Sequence, residues 1–170
     1  MKVLDRLLMD TKQILCTLRN IRSFLGVFPF DLLPQSVSQP GTAIINAHPQ
    51  TEKGSQWLAV HFRPKSFSAY YFHSYGFVPL VPDIQAFIRR KSTVSNSNKR
   101  QLQGLTNNVC GKFCGLFALY TGLGYTLQQF VELFDAEGAD GQTDGLFASA
   151  FEPLLPSDSG SGGQCSSSFL

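Results

Sequence analysis

The sequence predicts an α+β domain: a central mixed sheet of about four or five strands, packed by helices, with a cysteine at the start of a buried helix. Three observations carry this. Apolar residues recur at helical spacing near the N-terminus and again after residue 110, and three β-rich runs lie between residues 42 and 72. The length, 170 residues, suits one domain able to bury its own core.

The elements follow in chain order. Val3/Leu4, Leu7/Leu8, Ile14/Leu15, Leu18 and Ile21 repeat at three- and four-residue steps, which predicts one packing helix over residues 2–22. FLGVFPFDLLPQSVSQPG holds Pro29, Pro34 and Pro40 between aromatic residues, so an extended, irregular segment closed by a Pro-Gly turn is expected. TAIIN, Thr42 to Asn46, reads as a buried strand. SQWLAVHF and FSAYYFHSYGF flank Arg63-Pro64-Lys65-Ser66 and read as an antiparallel hairpin. Pro79 and Pro82 introduce DIQAFIRR, a helix with Asp83 as its expected N-cap.

KSTVSNSNKR, residues 91–100, is polar and aperiodic, so a loop is expected there. Helices are expected over 110–121 and, after a break at Gly122 and Gly124, over 126–134 with Thr126 as N-cap. Residues 1–155 form the expected domain. Residues 156–170 form a Ser/Gly-rich tail whose composition cannot bury enough apolar surface to order itself.

Composition narrows the function classes. Hydrophobic residues make up 43% of the chain and charged residues only 15%, and 15 Phe with 5 Tyr point to an aromatic core. Global disorder is excluded. A formal charge of +2 is too weak to argue by itself for nucleic acid or membrane. Cys16, Cys110, Cys114 and Cys165 lack framework spacing, which suits free thiols in a reducing, intracellular compartment, with Cys16 and Cys114 in the core. Charges interrupt the N-terminal apolar positions, unlike a signal peptide. No apolar run approaches the ~20 residues of a membrane span.

The sharpest local feature is QGLTNNVCGKFC, which places Cys110 between a polar loop and the first turn of a helix. Unpaired N–H groups and the positive end of the helix dipole would stabilise a thiolate there. Gln103 offers an amide donor that, with the Cys110 N–H, could hold the oxyanion of acyl transfer. A cysteine at such a place can also be simply a small buried hydrophobe. A metal reading of Cys110 and Cys114 lacks a second ligand pair.

At these residues the chain resembles the adenovirus-protease (adenain) type of cysteine endopeptidase, in particular the relatives carried by Maverick/Polinton-type elements and large DNA viruses. The matching blocks are FLGVFPFDLLP, TAIINAHP, GSQWLAVHF, YYFHSYGF, DIQAFIRR and QGLTNNVCGKFCGLFALY, in that order. The resemblance implies a papain-like layout in rearranged order, shared with proteases of ubiquitin-like proteins. It also implies cleavage of viral, element-encoded or ubiquitin-like polypeptides by a monomer with Cys110 as nucleophile and Gln103 in the oxyanion hole.

The same resemblance exposes two departures. The family histidine position is occupied by Gln56, and the position of the acid that orients it by His73. An amide cannot take up and return a proton near neutral pH, so the resemblance implies impaired catalysis or a pseudoprotease kept to bind peptide, protein or DNA. His73 is the first candidate for a relocated base, ahead of His61 and His48. No metal or cofactor is required, but the family admits DNA or a peptide as activator. Arg89, Arg90, Lys91, Lys99 and Arg100 are the residues a DNA contact would use, against the reading of a solvated loop. Nucleus and virion are the locations the family adds.

Overall fold

A computed structural model describes residues 10–37, 39–51, 56–103, 109–135 and Ser149. The fold is α+β: one five-stranded mixed sheet in the order β1-β2-β3-β4-β5, with helices on both faces. The expected tail, 156–170, and the last part of the expected domain lie outside the described residues.

Helix α1 spans Thr11–Leu18, shorter than the expected 2–22. Asp10 is extended and its carboxylate accepts the Gln13 N–H while the Gln13 side chain returns a bond to Asp10. That reciprocal cap starts a helix at residue 11 and so corrects a single helix running through residue 10. Residues 1–9 lie outside the described residues.

The segment expected to be irregular contains a strand, β1, Phe24–Pro29. It pairs in parallel with β2, Gly41–Asn46, at one edge of the sheet. An edge tolerates Pro29 at the strand end because one side of the ladder needs no donor there. The register slips between Phe24 and Gly26, where Gly26 adopts φ 134.

β3, Trp57–Arg63, and β4, Ser68–Phe72, form the expected antiparallel hairpin around a short 3-10 turn at Pro64–Ser66. α2 spans Pro82–Lys91. Val81 is its N-cap and Pro82 its first residue, correcting the expected cap at Asp83. Proline suits that first position because its missing N–H would have had no helical partner. The expected loop 91–100 instead contributes the end of α2 and a strand, β5, Val94–Ser97, parallel to β4. β5 is exposed and polar, so no apolar alternation announced it.

Helix α3, Cys110–Gly122, and α4, Leu127–Glu132, complete the fold. Thr126 caps α4 as expected, with a reciprocal bond to Gln129. α3 is apolar around most of its circumference because it is enclosed by β2 and β3, α1 and α4. Ile44, Trp57, Ala59, Tyr70 and Phe72 meet it from one sheet face. Ala43, Ile45, Leu58, Val60, Phe62, Ala69 and Tyr71 meet α2 from the other. The alternation along each strand thus fixes which residues can reach Cys110.

Candidate functional site

The fold gathers the four positions singled out in the sequence at one end of the sheet. Cys110 begins α3 and is 4% exposed, with its sulfur 3.4 Å from the Trp57 N–H at the start of β3. Gln56 immediately precedes Trp57, and its side-chain nitrogen lies 3.2 Å from His73 Nε2. His73 follows the last residue of β4. In the next two positions, Ser74 donates to Gln103 Oε1 at 2.7 Å, and Gln103 Nε2 donates to the Tyr75 hydroxyl at 3.2 Å.

The tautomer of His73 follows from its partners. The Tyr75 N–H donates to Nδ1 at 3.2 Å, so a neutral ring carries its proton on Nε2. That proton needs an acceptor, and the Gln56 carboxamide supplies one by turning its oxygen to the ring; which end of an amide faces a partner is assigned by the bonds it makes. A protonated ring would set a second donor against the Tyr75 N–H. Burial also holds the His73 pKa below its ordinary value.

The thiol departs from the expected thiolate. The N–H groups of Trp57, Gly111 and Cys110 favour the charged sulfur, but burial outweighs them and pushes the Cys110 pKa up. The helix start that was to activate Cys110 therefore does not overcome desolvation. Cys114, fully buried one turn on, is pushed further up by burial and by Cys110. Neither is disulfide-bonded. Cys16 differs from the expectation of a free core thiol: it is half-buried and disulfide-bonded.

Gln103 is 2% exposed and its amide is oriented by Ser74 and Tyr75. The turn carrying those residues is laced to the chain segment that follows β5. Leu102 and Gln103 donate their N–H groups to the Ser74 carbonyl at 2.8 and 3.1 Å. Gly76, at φ 74, lies so close to the Arg100 peptide that an added Cβ would stand 2.8 Å from it. The aromatic rings of Tyr75 and Phe77 flank the His73 ring, with centroids 5.8 and 5.3 Å away.

The other histidines stand apart. His61 projects to the α3 face, where Nδ1 meets Thr42 Oγ1 at 2.9 Å and the ring stacks on Tyr70. Thr42 in turn meets Thr121 near the end of α3, the end away from Cys110. Burial and the Arg63 charge push the His61 pKa down to about 4. His48 Nδ1 is buried and has no hydrogen-bond partner among the described residues.

The five basic residues divide between the two sides of the sheet. Arg89, Arg90 and Lys91 end α2, where they favour the negative end of its dipole, and Lys91 also donates to the Gln35 carbonyl. Lys99 and Arg100 line a groove of about 710 Å³ between β5 and α4. Arg100 is ion-paired with Asp135 and donates to the Phe134 carbonyl.

Sequence reasoning missed Asn98, Ser74 and Tyr75, which hold the site together. Their signal is weak: Asn98 lies in a polar run without period, and Ser74 and Tyr75 fall inside the run FSAYYFHSYGF expected as a strand, which ends at Phe72. Lys112, 3% exposed two residues after Cys110, was also missed. Among the described residues no group of three or more His, Cys, Asp or Glu is arranged to hold a metal, and no helix is long and apolar enough to cross a membrane. No protein-family model matches the chain, and no curated protein sequence matches it significantly.

Proposed function

We propose that this chain is an adenain-like cysteine-peptidase fold, inherited from an endopeptidase, that binds polypeptide near Cys110 and hydrolyses it poorly. The supporting observation is the contact of Gln56 with His73 beside the Trp57 N–H that touches the Cys110 sulfur. In this reading an amide stands where a base would be needed, and the imidazole contacts that amide at 3.2 Å. The mixed five-stranded sheet with Cys110 at the start of a buried helix is compatible with the papain-like layout.

The chemistry left to these residues is binding rather than turnover. Peptide hydrolysis by a thiol needs a group that takes its proton and returns one to the leaving amine. Gln56 can only donate and accept hydrogen bonds. His73 is engaged by Gln56 at Nε2 and by the Tyr75 N–H at Nδ1, and burial lowers its pKa, so it is a poor store for that proton. A non-hydrolysing peptide- or protein-binding module is the second reading, favoured by the raised Cys110 pKa.

One experiment tests both: reaction with a thiol-directed peptide electrophile from pH 5 to 9, for the unmodified chain, Cys110→Ala and the double variant Gln56→His/His73→Asp. The expected result is slow Cys110-dependent reaction of the unmodified chain and a gain of ~10²-fold or more in the double variant. Rapid reaction of the unmodified chain near neutral pH overturns the impairment. No gain in the double variant overturns the placement of the base and its orienter.

A further inference from the structure

We infer that Asn98 is a positioning residue: its side chain takes the place of a strand residue beside position 73 and holds that position against Gln56. β5 pairs with β4 from Ser68↔Val94 to Tyr71↔Ser97, and the ladder closes with the Asn98 N–H on the Tyr71 carbonyl at 3.4 Å. Beyond it, at His73, a side chain rather than a backbone supplies the bonds. The His73 N–H donates to Asn98 Oδ1 at 2.9 Å, and Asn98 Nδ2 donates to the His73 carbonyl at 2.7 Å. Nδ2 also donates to the Arg100 carbonyl at 3.1 Å.

These three bonds commit both ends of the carboxamide. They also fix its orientation, since a backbone N–H requires the oxygen and a carbonyl requires the nitrogen. Asn98 is 4% exposed, and its side chain satisfies both peptide groups of a residue that is itself buried. The His73 carbonyl also accepts the Gly76 N–H at 2.8 Å, so the group that depends on Asn98 alone is the His73 N–H, a buried donor that is costly to leave unmet. With its N–H and carbonyl pinned, His73 has a fixed backbone direction, and its ring reaches Gln56 on one side and the Tyr75 N–H on the other. Any residue at position 73 would be aimed the same way, a carboxylate included. Asn98 thus acts on the site through residue 73, without touching Cys110 chemistry itself.

The functional meaning rests on the reading of positions 56 and 73 given above, so the test reads the ring directly and measures no activity. Imidazole ¹H–¹⁵N spectra of the full chain are recorded across pH for the unmodified protein and Asn98→Ala. In the unmodified protein His73 is expected as a single Nε2–H tautomer titrating below the ordinary ~6.5. In Asn98→Ala it is expected to mix tautomers and titrate closer to that value, while His61 keeps its own tautomer and titration. A folded Asn98→Ala with unchanged His73 signals overturns the inference. If Asn98→Ala does not fold, amide exchange in the unmodified chain decides. The His73 N–H, closed by Asn98, is expected to exchange ~100-fold or more slowly than in an unfolded chain, and unprotected exchange overturns the inference.

Discussion

Gln56 and His73 meet side chain to side chain at 3.2 Å, one residue away from the peptide N–H that touches the Cys110 sulfur. The pair is built from an amide and an imidazole. The imidazole satisfies both Gln56 and the Tyr75 N–H only when the ring is neutral, because a proton on Nδ1 would face that N–H. The site is therefore stable as a hydrogen-bonded unit and unsuited to carrying a proton between thiol and leaving group.

Cys110 should become more reactive with rising pH right through 9. Burial raises its pKa above the ordinary value, so the thiolate fraction is small at neutrality and still growing in alkaline solution. A cysteine paired with an imidazolium would instead plateau on the acid side of neutral. The rate of modification by iodoacetamide, Cys110→Ala subtracted, checks this; a plateau below pH 7 contradicts it. The same raised pKa favours the unfolded chain once its thiols ionise, so stability should fall as pH climbs past the ordinary thiol value of ~8.5.

His61 should make the fold acid-sensitive in a defined window. Its folded pKa, about 4, is below the unfolded value of ~6.5, so the folded state binds its proton less readily. Stability is complete above pH 6.5 and is lost as pH falls toward 4, by on the order of 3 kcal/mol in all. His61→Gln keeps a hydrogen-bonding group near Thr42 but does not titrate. Urea denaturation of both proteins at pH 7 and 4.5 is the check, and an identical acid loss in the two would refute the assignment to His61.

The difference between what was legible and what was not is physical. The β3–β4 hairpin and α3 were readable because burial writes a period into the sequence: Trp57, Ala59 and His61 alternate with Leu58, Val60 and Phe62 between the two sheet faces. β1 and β5 were not, because an edge strand has one side of its ladder open and can carry Pro29 or the polar run Val94–Ser97. The candidacy of Cys110, Gln103, Gln56 and His73 was legible in the sequence. Their bonding was not, because it depends on Asn98, Ser74 and Tyr75, which come together only in three dimensions. The Cys110 pKa was misjudged for a related reason: the helix start is local in sequence, whereas burial is a property of the assembled core.

Gly76→Ala should cost ~1–3 kcal/mol and disturb the site together with the fold. The residue sits at φ 74, and a Cβ would meet the Arg100 carbonyl carbon at 2.8 Å and its oxygen at 2.9 Å. Those atoms belong to backbone and cannot swing away. Gly124→Ala is the control, because Gly124 also has positive φ, 97, but nothing lies within 4 Å of an added Cβ. Urea midpoints should drop further for Gly76→Ala than for Gly124→Ala, and equal losses would mean that conformational strain alone is at work.

Core aromatics rather than surface charge should dominate stability. Phe72 is fully buried, stacked on Phe117 at 5.0 Å and set edge-on to Phe130 at 5.2 Å, so it ties β4 to both α3 and α4. Phe72→Ala would leave a cavity between three elements at a cost of ~3–5 kcal/mol. The Arg100–Asp135 pair has side chains 43% and 54% exposed, where solvent screening limits such a pair to ~0–1 kcal/mol. Arg100→Ala should therefore lower the urea midpoint slightly, and by less in 1 M salt, whereas the Phe72→Ala loss should not shrink with salt. A larger loss from Arg100→Ala would show that the Arg100 contact to the Phe134 carbonyl, and the chain segment it anchors, matters more than the ion pair.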